Sequence, residues 1–219
     1  MKFDFIIIHE SGHEWFANNI TYKDVADMWI HESFTNYSES LFLDYFYGKE
    51  AGQEYVRGTR ARIENKLPII GRYSVNHRGS GDMYYKGGNI LNMLREIHND
   101  DTKWRNILRG LNEEFYHQTV TTGQVEAYLS AQTGMELKPF FDQYLRNSSI
   151  PILEYYFSDE DTLQYRWSNC IATFDMPVDV KLHDEVLRIK PTTTWSELKV
   201  KSTDIEIDPD YYVGSMRLR

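Results

Sequence analysis

The chain has 219 residues, room for one large domain or two small ones. Hydrophobic residues make up 41% and charged residues 26%, as in an ordinary globular protein, and a formal charge of −9 disfavours a nucleic-acid binder. The single cysteine, Cys170, excludes an intrachain disulfide and a thiolate metal cluster.

The opening residues MKFDFIIIHES turn polar too soon for a signal-peptide core. No apolar run reaches the length of a membrane span, so the chain as given reads as soluble, with its compartment unknown. Phe3 to Asn18 reads as one helix with a broad apolar face. Thr21 or Asp24 is placed to cap a second helix that runs to Tyr47 and stops at Gly48. A third fits Lys49 to Lys66. The segment LPIIGRYSVNHRGSGDMYYKGG is the longest irregular stretch, of the kind that often carries function. GNILNMLREIHND, DTKWRNILRGLNEEFYHQ (capped by Thr102), TTGQVEAYLSAQTG and ELKPFFDQYLRNSS complete an all-helical block.

At Pro151 the pattern changes. IPILEYYFS, TLQYRWSNC, PVDVKLHD, EVLRIKPTTTW and SELKVKSTDIEIDPDYYV alternate apolar and polar residues at period two. Five or more short strands are expected, forming a small antiparallel β-sandwich. The fold class is therefore α+β, with a helical unit over 1–150 and a β unit over 151–219.

The stretch HESGHEWFANN, from His9, carries the chemistry. On a helix, positions i and i+4 project from one face about a turn apart. His9 and His13 can thus converge on one tetrahedral Zn²⁺, with Glu10 offset to take a proton from water rather than ligate. A hydrolytic zinc site needs a third protein ligand and an open fourth position. Glu32, in DMWIHESFTNYSE, lies nineteen positions after His13 and can supply the third. The competing reading places both histidines on a helix surface or in the core, with no metal.

These two stretches together resemble the zinc signature of the aminopeptidase N-type gluzincin family. There HExxH is followed by a Trp-Phe-Gly-Asn-like stretch, and the glutamate ligand comes eighteen residues later. Thermolysin-type endopeptidases place that glutamate one residue further on, which argues against them here. Ala17 and the pair His31 and Ser33 depart from the family pattern beside the site, yet no ligand is lost. The family also carries a Tyr-x-Lys-Gly tyrosine, and GDMYYKGGNILNML offers Tyr84 in that place.

The resemblance implies a mainly helical, thermolysin-like catalytic subdomain. It implies one Zn²⁺ per chain on His9, His13 and Glu32, with Glu10 as general base and Tyr84 as oxyanion donor. Peptide substrates would lose their N-terminal residues. The family's amine-binding loop lies upstream of the zinc motif, and only eight residues precede His9. The chain thus reads as a C-terminal portion of a longer aminopeptidase, weakly active or inactive by itself. Its apolar N-terminal helix is expected to promote self-association. The alternative function is an idle zinc-stabilised or peptide-binding module, but such a module has no need of Glu10 or Tyr84.

Overall fold

The structure is a computed structural model that describes residues 3–183 and 185–219. The first helix, α1, spans Phe5–Gly12. The Asp4 carboxylate starts it by accepting a hydrogen bond from the Ile7 N–H at 3.4 Å. The expected run to Asn18 is cut short. A π-helical turn follows over Glu14–Asn19, in which Phe16 leaves helical space at φ −117°, ψ 68°. Phe16 turns inward there and stacks on Phe34 with ring centroids 4.6 Å apart. Burial of that ring compensates for the lost helical hydrogen bonds.

Strand β1, Ile20–Tyr22, pairs in parallel with β2, Gln118–Val120. The block before Pro151 is therefore not all helical. Three residues are too few for a period-two pattern to declare itself. Asp24 acts as the cap, accepting the Ala26 N–H at 2.9 Å. It opens a 3-10 turn at Val25–Asp27 that leads into α2, Trp29–Tyr47. Gly48, at φ +94°, ends α2 as the sequence suggested.

Helix α3 covers Lys49–Thr59 and tightens into a 3-10 turn at Arg60–Arg62, short of the expected Lys66. Two forces stop it. Asp82 draws the chain away by accepting the N–H groups of Glu64 and Asn65 at 2.9 and 2.7 Å. Pro68 then disfavours helix just before it. Helices α4, Tyr85–His98, and α5, Asp101–Glu114, follow. Asp100, not Thr102, caps α5 through the Lys103 N–H at 2.9 Å. A capping box of Thr121 and Gln124 opens α6, Thr122–Thr133, and Pro139 sits in the first turn of α7, Lys138–Arg146.

Helix α2 is the spine of this part, burying Trp29, Ile30, Phe34 and Tyr37. Helix α4 lies against it at touching distance. A Cβ on Gly87 would stand 1.9 Å from Ser33 Oγ, and one on Gly88 2.3 Å from Asn36 Oδ1. Only glycine lets the two backbones come this close.

Seven strands follow among the described residues: β3 Ile152–Asp159, β4 Thr162–Ser168, β5 Val178–Leu182, β6 Glu185–Ile189, β7 Ser196–Lys199, β8 Ile205–Ile207 and β9 Gly214–Arg217. They form two sheets, ordered β7-β4-β3-β9 and β6-β5-β8. All pairings are antiparallel except β3 with β9, which is parallel. The fold is α+β. Leu153, Leu163 and Trp167 from one sheet and Val178, Val180 and Ile189 from the other join the helical residues in one continuous core. No helix among the described residues is long and apolar enough to cross a membrane.

Candidate metal centre

Gly12 sets the geometry of the site. It is buried against α2, and a Cβ there would stand 3.2 Å from Thr35 Cγ2 and 3.4 Å from Ser38 Oγ. This close packing brings the histidine face of α1 against the first turns of α2. His9 Nε2 lies 3.2 Å from Glu32 Oε2, and His13 Nε2 lies 3.8 Å from the same oxygen. One ligand atom from each of the three residues falls within 4.8 Å of the others. Two donors each at zinc distance from a tetrahedral ion stand roughly 3.3 Å apart. The nitrogen, nitrogen and oxygen donors therefore fit a zinc-sized cation in both spacing and chemistry.

Each histidine is also gripped from behind. His13 Nδ1 sits 3.1 Å from the Phe16 carbonyl, which the π-helical turn aims back at the ring. His9 Nδ1–H donates to Glu39 Oε1 at 2.9 Å. Glu39 is 1% exposed. Its carboxylate also accepts from Asn36 Nδ2 at 3.1 Å and from the Tyr55 hydroxyl. Burial lowers the His9 pKa, but hydrogen bonds to Glu32 and Glu39 outweigh it and raise the pKa to about 9. Cation binding must therefore displace a proton from this ring.

Glu10 is exposed at its turn of α1. It lines a cavity of about 260 Å³ with His9, Tyr84, Tyr85, Asn36, Glu39, Phe5 and Ile6. The Tyr84 ring stands 6.0 Å from the His9 ring. Burial raises the Tyr84 pKa, and the charges of Glu32 and Glu10 add to it, while Arg78 opposes them. The phenol therefore keeps its proton at neutral pH and is a donor. The structure thus brings together all five residues singled out in the sequence: His9, His13, Glu32, Glu10 and Tyr84. Tyr85 lines the same cavity but accepts at its hydroxyl from Arg62 at 2.8 Å.

The departures from the family pattern are absorbed locally. Ser33 donates its hydroxyl to the Met83 carbonyl at 2.7 Å, in the space left by Gly87. His31 is pushed down to about 4, first by burial and then by the charge of His13. Its neutral Nε2 accepts from the Tyr22 N–H at 3.1 Å, and its ring packs on Tyr22 with centroids 4.3 Å apart. His31 therefore ties α2 to β1, and its ring lies edge-on to that of the ligand candidate His13, with centroids 6.5 Å apart. Ala17 has φ 166°, extended backbone open to any residue.

Glu39, Tyr55 and Asn36 join the site without belonging to any motif in the sequence. For Glu39 the signal was present: it lies seven positions after Glu32, two turns along the same face of α2. Tyr55 arrives from α3 and leaves no such trace. A larger cleft of about 1200 Å³, lined by Trp15, Trp104, Arg105 and Tyr116 among others, holds none of the five site residues.

The description of the peptidase family M1 domain matches residues 2–144. The chain belongs to peptidase family M1. Its members are metallopeptidases, in accord with the donor set above. Mouse endoplasmic reticulum aminopeptidase 1 is 29% identical over 124 residues, 52% of this chain and 13% of that protein. Aminopeptidase N of Lactobacillus helveticus is 24% identical over 179 residues, 73% of this chain and 20% of that protein. This M1 chain thus spans between about an eighth and a fifth of the length of these curated relatives. The crystal structure of Legionella pneumophila aminopeptidase A in complex with aspartic acid superposes with a TM-score of 0.73 at 15% identity. It covers 97% of this chain and 26% of that one, and shows the shared fold.

Proposed function

We propose that this M1 chain carries the metal-binding and proton-transfer groups of a zinc-dependent aminopeptidase, which releases N-terminal residues from peptides. The observation that carries the reading is the convergence of His9, His13 and Glu32 within 4.8 Å beside a cavity lined by Glu10 and Tyr84. The three ligands would hold one Zn²⁺ per chain, whose Lewis acidity polarises a peptide carbonyl and lowers the pKa of water.

The chain's own residues supply the remaining steps. Glu10, solvent-accessible and one residue from a ligand, takes the proton of the attacking water and delivers it to the leaving amine. Tyr84 donates its phenol hydrogen bond to the carbonyl oxygen as charge develops there. Residues 1–150 form the unit that holds this machinery, and 151–219 form the β unit that braces it. The 219 residues alone turn over aminoacyl anilides weakly or not at all, and they self-associate through the apolar face of α1.

The decisive experiment is the zinc content of the purified chain beside Glu32→Ala. About one zinc per chain, lost in the variant, is the expected result. An unaltered chain that takes up no zinc, or a variant that keeps its zinc, would overturn the assignment of Glu32.

A further inference from the structure

Beside the proposed ligand set lies a buried polar cluster that the set itself does not explain. Glu39, from the middle of α2, is 1% exposed, and both of its carboxylate oxygens are engaged. Oε1 accepts from His9 Nδ1 at 2.9 Å and from Asn36 Nδ2 at 3.1 Å. Oε2 accepts from the Tyr55 hydroxyl. A buried carboxylate is costly unless its lone pairs are satisfied, and here three donors from α1, α2 and α3 satisfy them. Among the described residues the Tyr55 phenol has no other hydrogen-bond partner, and it donates to Glu39.

The consequence for His9 follows from donor and acceptor chemistry. A carboxylate offers only acceptors, so the hydrogen of the neutral imidazole must lie on Nδ1. Nε2 is then the atom with the lone pair, and it is the one that faces Glu32 Oε2 at 3.2 Å. Rotating the His9 ring would break the bond to Glu39, and rotating Glu39 would break the bonds to Asn36 and Tyr55. The orientation of one ligand on α1 is thus fixed by a residue on α3 through a residue on α2. His13 is held differently, by the backbone carbonyl of Phe16 at 3.1 Å. No substitution can remove that group, so the Glu39 arm is the adjustable one.

We infer that Glu39 and Tyr55 are positioning residues for the metal centre, a hydrogen-bonded chain running Tyr55 to Glu39 to His9 that fixes the tautomer and ring plane of His9 for cation binding. This rests on the reading of His9, His13 and Glu32 as ligands, and it adds two residues that touch neither metal nor substrate. Residues in this position typically affect metal affinity by about 10- to 100-fold.

The test uses the whole chain with Glu39→Gln, Glu39→Ala and Tyr55→Phe, each checked for folding by its circular-dichroism melt. Two readouts are taken. The first is Zn²⁺ affinity by competition with a chromogenic chelator. Glu39→Gln is expected to weaken it about 10- to 100-fold and Tyr55→Phe by a smaller factor. The second is the His9 Nδ1–H resonance in ¹⁵N-labelled protein, recorded with and without added Zn²⁺. It is expected to be slowly exchanging and to vanish in Glu39→Ala.

If the unaltered chain binds no Zn²⁺ but shows the protected resonance, and Glu39→Ala loses it, the positioning chain stands and the metal assignment falls. If Zn²⁺ binds and its affinity is the same in all three variants, the positioning role is overturned while the ligand set survives. An unaltered chain without the protected resonance in either state also overturns the role. Tyr55→Phe keeps the ring and the helix face, so it decides the matter even if the Glu39 variants fail to fold.

Discussion

His9 and Glu10 are neighbours on α1 yet face different surroundings, and that difference separates their roles. His9 is part-buried between two carboxylates, whereas Glu10 is exposed on the cavity wall. Glu10→Gln keeps the size and exposure of the side chain but removes the base. It is expected to lower kcat for peptide hydrolysis by about 10²- to 10⁴-fold with zinc content unchanged. Tyr84→Phe removes only the hydroxyl donor, and a loss of about 10²- to 10³-fold in kcat is expected. Paired steady-state kinetics and metal analysis check both, and turnover at the unaltered rate in either variant would refute its assigned role. The proposed ligands are legible in the sequence because helical spacing alone aligns His9 with His13, and Glu32 follows at a recognisable distance. Asn36 and Tyr55 were not legible, since their contacts with Glu39 exist only once α1, α2 and α3 have packed.

The elements place the site by close approach, and glycines mark where. Gly12 lets α1 reach α2, and Gly87 lets α4 reach α2 just beyond Tyr84. Ser33 fills the space that Gly87 leaves and bonds to the Met83 carbonyl at 2.7 Å, one residue before Tyr84. Gly87→Ala would drive a methyl group to 1.9 Å from Ser33 Oγ and 2.5 Å from its Cβ. Overpacking of this kind costs about 1–3 kcal/mol. Adding Ser33→Gly to Gly87→Ala is expected to recover most of that loss, short of the ~1 kcal/mol of the serine hydrogen bond. Urea melts of both single variants and the double variant measure the coupling. Strict additivity would show that the contact does not set the helix spacing. Apolar periodicity made the long helices legible. The same reasoning ran through Gly12 in one helix because the stacking of Phe16 on Phe34, which breaks it, is a contact between distant residues. The pairing of β1 with β2 joins segments nearly a hundred positions apart, and neither carries a pattern of its own. The strands after Pro151 were legible as strands, but the parallel β3–β9 pairing depends on where the last strand returns.

Across the whole molecule, polar contacts join the helices to the loop between β8 and β9. Arg57 pairs with Asp210 at 2.6 Å, and Tyr144 donates to the Tyr212 carbonyl at 3.0 Å. The outer face of α1 has no such cover among the described residues: Phe5, Ile6 and Ile7 are 40%, 55% and 61% exposed. Fully burying one such side chain is worth roughly 1.5–3 kcal/mol, so a shared contact over this face can support weak association. The net charge of −9 opposes it through mutual repulsion. Salt decides the balance. Raising ionic strength from about 0.01 to 0.15 M shortens the screening length from roughly 30 to 8 Å, which weakens repulsion and leaves apolar contact intact. The weight-average mass from sedimentation velocity is therefore expected to rise with protein concentration, and to rise further with salt. Ile7→Lys places a charge at the most exposed of these three residues and is expected to return the chain to a monomer at every salt concentration tested. A chain that stays monomeric throughout would show that this face does not associate. Association that weakens with salt would assign the contact to ion pairs instead of α1.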